Sequence, residues 1–277
     1  MQKIDSHQHF WKFDPVRDAW IGDAMQKIRR DFLPEDLLPL LKQSGIAGCV
    51  AVQADQSEVE TNFLLGLAEQ NSFIKGVVGW IGLTDNNIAQ RLEHFSSHKI
   101  LKGFRHIVEG EAPGFMLRPD FIKGISALKP YNYTYDILVR PHQLQDAIAL
   151  VNQFPNQPFV LDHSAKPNLK TGDITAWKAH IKELAKADNV LCKVSGLVTE
   201  AHWDDWSAHD LKPCLDTVFE YFTPKRILFG SDWPVCNLAA NYATVVKTLE
   251  DYTTQLSDTE RELVWYKNAQ KFYNLDS

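Results

Sequence analysis

The sequence predicts an α/β protein, a single (β/α)8 barrel over residues 1–277, and three observations carry that expectation. Short β-branched, apolar runs alternate with longer helical patterns along the whole chain. The strand-like runs number eight, a count that suits a barrel of 277 residues. Neither a Gly-x-Gly-x-x-Gly turn nor a Gly-Lys-Ser/Thr phosphate loop follows an early strand, so a doubly wound open sheet is the weaker alternative.

Taken in order, the strands are expected at 3–6, 46–52, 76–81, 101–104, 135–139, 159–161, 190–194 and 227–229. Runs such as Gly48-Cys49-Val50-Ala51-Val52 are apolar on both faces of the pleat, as parallel strands covered on both sides require. Helices are expected at 34–43, where Pro34 opens the first turn and Ser44-Gly45 closes the last, and at 58–70, 87–98, 119–128, 141–153, 174–187 and 209–222. A helix over 257–268 closes the structure, and 105–119 is the longest irregular stretch between inner strands.

With 44% apolar and 23% charged residues, the chain can bury one large core, which excludes disordered and disulfide-stapled readings. The 29 Lys and Arg against 35 Asp and Glu leave a net charge of −6, without the basic excess that nucleic acid requires of a partner. The longest apolar run, 76–83, is far short of the roughly twenty residues of a membrane helix. The first residues carry no leader signature, so the expected address is the cytoplasm. Cys49, Cys192, Cys214 and Cys236 lie far apart with no Cys-x-x-Cys pair, and Cys49 and Cys192 read as buried thiols. No heptad seam marks an oligomer interface.

Polar residues interrupt the apolar strands at their C-terminal ends, which in a barrel converge on one face. His7 and His9, two apart on an extended strand, point the same way and can share a metal or a substrate oxygen. Arg105 and His106 end the fourth strand, His163 ends the sixth with Lys166 just beyond, and Asp232 follows the eighth. A carboxylate directly after a buried strand needs a partner. Singly, each has a plainer reading: half-exposed imidazoles, a surface ion pair for Arg105, a structural His163, a turn cap for Asp232. Together His7, His9, His163 and Asp232 can hold one divalent cation or orient one water. Trp11 and Trp233 flank these motifs and suit a ring-shaped ligand or the core, while Arg140 and Lys166 are further cations at the rim.

The segments Ile4-Asp5-Ser6-His7-Gln8-His9-Phe10-Trp11, Lys102-Gly103-Phe104-Arg105-His106, Asp162-His163-Ser164-Ala165-Lys166-Pro167 and Phe229-Gly230-Ser231-Asp232-Trp233-Pro234 resemble the amidohydrolase superfamily, and within it the lactone-hydrolysing branch. That branch acts on sugar lactones such as those of L-fuconate and L-rhamnonate, with 2-pyrone-4,6-dicarboxylate lactonases as cousins. The resemblance implies a distorted (β/α)8 barrel that opens a small cyclic ester. It places Asp232 as the water-activating acid/base, with His163, Arg105 and His106 in catalysis. Trp11, Arg140, Lys166 and Trp233 would meet substrate, and His7, His9, His163 and Asp232 would hold a metal. Binuclear members use a lysine from the fourth strand and a histidine from the fifth; Arg105 and Arg140 stand there instead, which argues against two metals. One zinc or manganese ion, or none, stays open, since related lactonases include a metal-independent one. Two rival readings are a decarboxylase of the same superfamily and a barrel kept as a non-catalytic scaffold.

Overall fold

Eight parallel strands form one sheet in sequential order: β1 (Ile4–Gln8), β2 (Gly48–Val52), β3 (Ile74–Gly79), β4 (Leu101–His106), β5 (Thr134–Ile137), β6 (Phe159–Leu161), β7 (Val190–Val194) and β8 (Ile227–Phe229). This computed structural model describes residues 1–276. The helices between them are α1 (Pro34–Gln43), α2 (Glu58–Gln70), α3 (Ile88–Phe95), α4 (Pro119–Ser126), α5 (Leu144–Gln153), α6 (Thr175–Leu184), the short α7 (Leu197–Glu200) and α8 (Ala208–Tyr221). After β8 come α9 (Tyr242–Thr253), α10 (Asp258–Glu262) and α11 (Asn268–Phe272), the last two joined by a π-helical turn over Leu263–Lys267. None of the described helices is long and apolar enough to cross a membrane.

The predicted barrel is the one found, with shifts of one or two residues at several strand ends, the unexpected short α7, the expected 257–268 helix divided into α10, a π turn and α11, and the following further differences. β1 and β4 run two residues further than expected, so His7 and Arg105 lie within strands. The irregular stretch after β4 holds two 3-10 turns, and the segment from residue 9 to 33 is longer still. α9 has no counterpart in the sequence expectation. Its run of Thr and Val has weak helix propensity; a cap at Asn241, whose side chain accepts from Thr244 N at 2.8 Å, and burial of Tyr242, Val246 and Leu249 make it helical.

The interior of the barrel is layered. Ile4, Val50, Val52, Val78, Val160 and Leu228 form an apolar layer, plugged by Ala269, Tyr273 and Leu275 from the C-terminal segment. The helices pack around the outside on a second, larger apolar cluster. All four cysteines are buried and free.

β8 closes onto β1 largely through side chains and loop backbone. Asp232 N donates to His7 O at 2.8 Å, His9 N donates to Trp233 O at 2.7 Å, and Ser6 Oγ donates to Phe229 O at 2.5 Å. The buried Asp5 carboxyl accepts from Ser231 N at 2.9 Å and Tyr242 OH at 3.0 Å, tying the seam to α9. Burial pushes this carboxyl up to about 6 against those hydrogen bonds.

Gly230 sits in the seam where a Cβ would lie 2.6 Å from His7 Cβ and 3.0 Å from Ser195 Cβ. Neither neighbour can swing aside, so Gly230→Ala is expected to cost about 1–3 kcal/mol by overpacking, read as a lower urea midpoint with unchanged slope.

Candidate active site

The C-terminal ends of the strands open into a cavity of about 250 Å³ lined by His9, Trp11, Arg105, Glu109, His163, Lys166 and Asp232, with Trp20, Ala54, Ile107, Leu138 and Val235 completing the wall. Its volume lies just under the roughly 300–1,000 Å³ of ordinary small-molecule sites, which suits a single small ring.

Beneath the cavity lies a layer of buried charge. Lys193 Nζ, from the middle of β7, reaches Asp136 Oδ2 at 2.5 Å and Asp162 Oδ1 at 3.0 Å. Arg105 Nη1 donates to Asp162 Oδ2 at 3.1 Å, and Nη2 donates to Gln53 O. Tyr273 OH donates to Asp136 Oδ2 at 2.7 Å. The register pairing Arg105 with Asp136 across β4 and β5 sets these groups side by side. Burial raises both carboxyls, but the two cations and His7 pull Asp162 well below the usual range, whereas Asp136, repelled by Asp162, rises to about 6.

His7 stands on this layer. Its Nδ1 lies 3.3 Å from Asp162 Oδ1 and 3.1 Å from Lys193 Nζ. Burial drives the ring well below its ordinary pKa, with Lys193 adding to burial and Asp162 opposing it, so the imidazole is neutral with one N–H. Arg105 Nη1 can only donate, so with the ring accepting from it at Nε2 the N–H sits on Nδ1, toward Asp162. Nε2 keeps its lone pair, facing Arg105 Nη1 at 3.3 Å and His9 Nε2 at 3.2 Å.

His9 is oriented by an unambiguous bond: its Nδ1 lies 2.7 Å from Val52 O, and a carbonyl can only accept. The Nε2 lone pair of a neutral His9 therefore points at Asp232 Oδ1, 3.3 Å away. Two acceptors this close need a proton, a water or a cation between them. His7 Nε2 and His163 Nε2 lie 3.9 and 3.8 Å from the same oxygen. The 3.2 and 3.3 Å spacings approach those between ligands on one tetrahedral zinc, roughly 3.3 Å for bonds of about 2.0–2.1 Å. His7, His9 and Asp232 form a set with the right chemistry for one divalent ion, and His7, Asp162 and His163 form an overlapping one.

His163 and Asp232 are held by strained backbone. His163, Ser164, Ala165 and Lys166 have φ of 51°, 51°, 59° and 50°, a left-handed turn that L-residues avoid at roughly 1–2 kcal/mol each, and Asp232 has φ 57°. Burial pushes His163 well below its ordinary pKa despite Asp232, and its Nδ1 lies 2.9 Å from Ser195 Oγ. Burial works against ionising Asp232 too, but its neighbours His163, His9 and Lys166 outweigh it and lower its pKa.

Of the residues singled out in the sequence, His7, His9, Arg105, His163, Lys166, Asp232 and Trp11 meet at this cavity or its floor. Trp233 does not: it is buried in the core against Phe10 and Phe32, which corrects its expected place at the substrate. His106 also faces elsewhere, stacked on Phe115, accepting from Trp80 Nε1 at 3.3 Å and bonded to Glu111 at 2.8 Å. Arg140 is half-exposed at the rim, paired with Glu109 and Glu200. The sequence reading passed over Trp20, Glu109, Asp136, Asp162 and Lys193. A lysine inside Val190-Leu191-Cys192-Lys193-Val194 and an aspartate inside Tyr135-Asp136-Ile137 were the available signals.

Comparison with known proteins matches nearly the whole of this chain. The family described as Amidohydrolase matches residues 4–275. An L-fucono-1,5-lactonase of Burkholderia multivorans is 40% identical over 99% of this chain and 96% of its own length. A zinc-bound crystal structure of an amidohydrolase from Burkholderia multivorans, 39% identical, superposes over all of both chains with a TM-score of 0.97. A 2,6-dihydroxybenzoate decarboxylase from Rhizobium covers both chains at 15% identity and a TM-score of 0.72, a likeness of fold alone.

Lys193→Met strands two buried carboxylates and is expected to cost about 3–5 kcal/mol of stability. Adding Asp136→Asn should recover part of that loss in urea unfolding. If Lys193→Met alone unfolds like the unaltered protein, the charge layer does not hold this end of the barrel together.

Proposed function

This chain belongs to the amidohydrolase family, and we propose that it hydrolyses the cyclic ester of a neutral sugar lactone of the L-fuconolactone or L-rhamnonolactone type. The full-length likeness to an L-fucono-1,5-lactonase supports the substrate class. The observation that carries the chemistry is the convergence of His9 Nε2 and Asp232 Oδ1 at 3.3 Å, two lone-pair atoms facing each other at the wall of the cavity.

In this reading Asp232, held ionised, accepts a proton from a water as its oxygen adds to the lactone carbonyl. The carbon–oxygen bond of the ring then breaks, and Asp232 returns the proton to the departing alkoxide. The hydroxy acid so formed ionises and releases one proton to solvent. His9 and His163 position the water beside Asp232. Arg105, fixed on Asp162, puts a permanent positive charge on the cavity floor where the carbonyl oxygen becomes negative. His7, His9 and Asp232 would hold a divalent ion, with His163 beside them; when bound, such an ion polarises the carbonyl and acidifies water. Trp11 donates through Nε1 to Arg30 O at 2.9 Å, leaving its face, beside Trp20, as an apolar wall for the C–H face of the ring.

The likeness to a decarboxylase is one of fold alone, at 15% identity, and a scaffold has no need of a strained, buried His/His/His/Asp set. A proton-release assay over a panel of sugar lactones is expected to show turnover of L-fuconolactone-type rings; silence on every lactone, with and without added zinc or manganese, would refute the assignment. Asp232→Asn is expected to lower kcat by about 10² to 10⁴. Zinc titration by calorimetry should find one ion per chain, with His9→Asn weakening it at least about tenfold, in line with the loss of one ligand from a closed set.

A further inference from the structure

Lactone hydrolysis turns a neutral ring into a carboxylate inside the same pocket, so the charges at the mouth decide whether product leaves. Four charged side chains line the cavity: Arg105 and Lys166 against Glu109 and Asp232. Neither cation is free. Arg105 is paired with Asp162, and Lys166 Nζ lies 2.7 and 2.9 Å from the two oxygens of Glu109. The second Glu109 oxygen also takes Arg140 Nε at 3.2 Å, and Arg140 Nη1 lies 3.6 Å from Glu200. Lys166 and Glu109 are mostly buried, at 17% and 19% side-chain exposure, so water screens this pair less than a surface pair. The left-handed turn fixes where Lys166 starts.

We propose that Glu109 is a specificity-determining residue: bridging Lys166 and Arg140, it cancels the cations of the rim, so the pocket accepts a neutral polyhydroxylated ring and does not retain the carboxylate that the ring becomes. A pocket for a carboxylate ligand would present the same two cations as a clamp. Here one glutamate occupies that clamp permanently, and Asp232 beneath it repels a second anion.

The inference rests on the lactonase reading but is tested apart from it, by anion binding. Gluconate, a six-carbon aldonate, and citrate are titrated calorimetrically into the protein and into Glu109→Gln, with thermal unfolding as a check on folding. Glu109→Gln is expected to bind both anions about tenfold more tightly, a gain that shrinks as salt is raised. Its KM for a neutral lactone should not fall. The double variant Glu109→Gln/Lys166→Gln should lose most of the gain. As a second measure, Lys166→Met alone leaves Glu109 opposed by Arg140 only, so it should bind neither anion more tightly than the unaltered protein. Unchanged anion binding in Glu109→Gln, a gain that survives in the double variant, or a tenfold gain in Lys166→Met would each overturn the proposal. Failure of the unaltered protein to hydrolyse any sugar lactone would instead remove the lactonase reading, and the citrate titration would still report on Glu109.

Discussion

Two cations and two carboxylates crossing the inside of the barrel impose the constraint on which the rest of the architecture turns. Lys193, Arg105, Asp136 and Asp162 are all buried, and each would cost several kcal/mol alone. They are tolerable only as a set, which fixes the strand register that brings them together and the rotamers that let them touch. The set divides the interior into an apolar floor below and a reactive mouth above. It also decides which nitrogen of His7 carries the proton, and so which lone pair is offered upward.

Most of the fold could be read in the residues because parallel strands buried on both faces leave a strong apolar trace. β6, β7 and β8 fall where that trace begins and ends. While β2, β3 and β5 shift by one or two residues at their ends, in β1 and β4 the strand ends moved because polar residues are admitted into the strand, His7 and Gln8 in one and Arg105 and His106 in the other. A reading that ends strands at the first polar residue must stop short there. α9 was invisible for the opposite reason, since its helicity comes from a cap and from the surface it covers rather than from its own composition.

The site was legible where polar residues break the C-terminal end of a strand, and illegible where a single charge sits among apolar neighbours inside one. His163 and Asp232 were readable as polar breaks; Lys193 and Asp136, flanked by apolar neighbours, gave no break, and only their mutual burial explains them. Trp233 shows the converse. Adjacent in sequence to Asp232, it packs on Phe10 and Phe32 in the core while Asp232 lines the cavity. Glu109 could not be found from sequence at all, since its meaning lies in the two cations it joins across separate loops.

The polar layer is stitched from both extremes of the chain. β1 carries His7, β8 leads into Asp232, and Tyr273 rises from the last helix to meet Asp136. A ribosome delivers these pieces in order, so the imidazoles of the first strand leave the exit tunnel long before the aspartate that completes them or the phenol that braces the floor. A chain that has not yet placed Asp232 beside His7 and His9 therefore carries no complete centre, whatever its first strands have already formed.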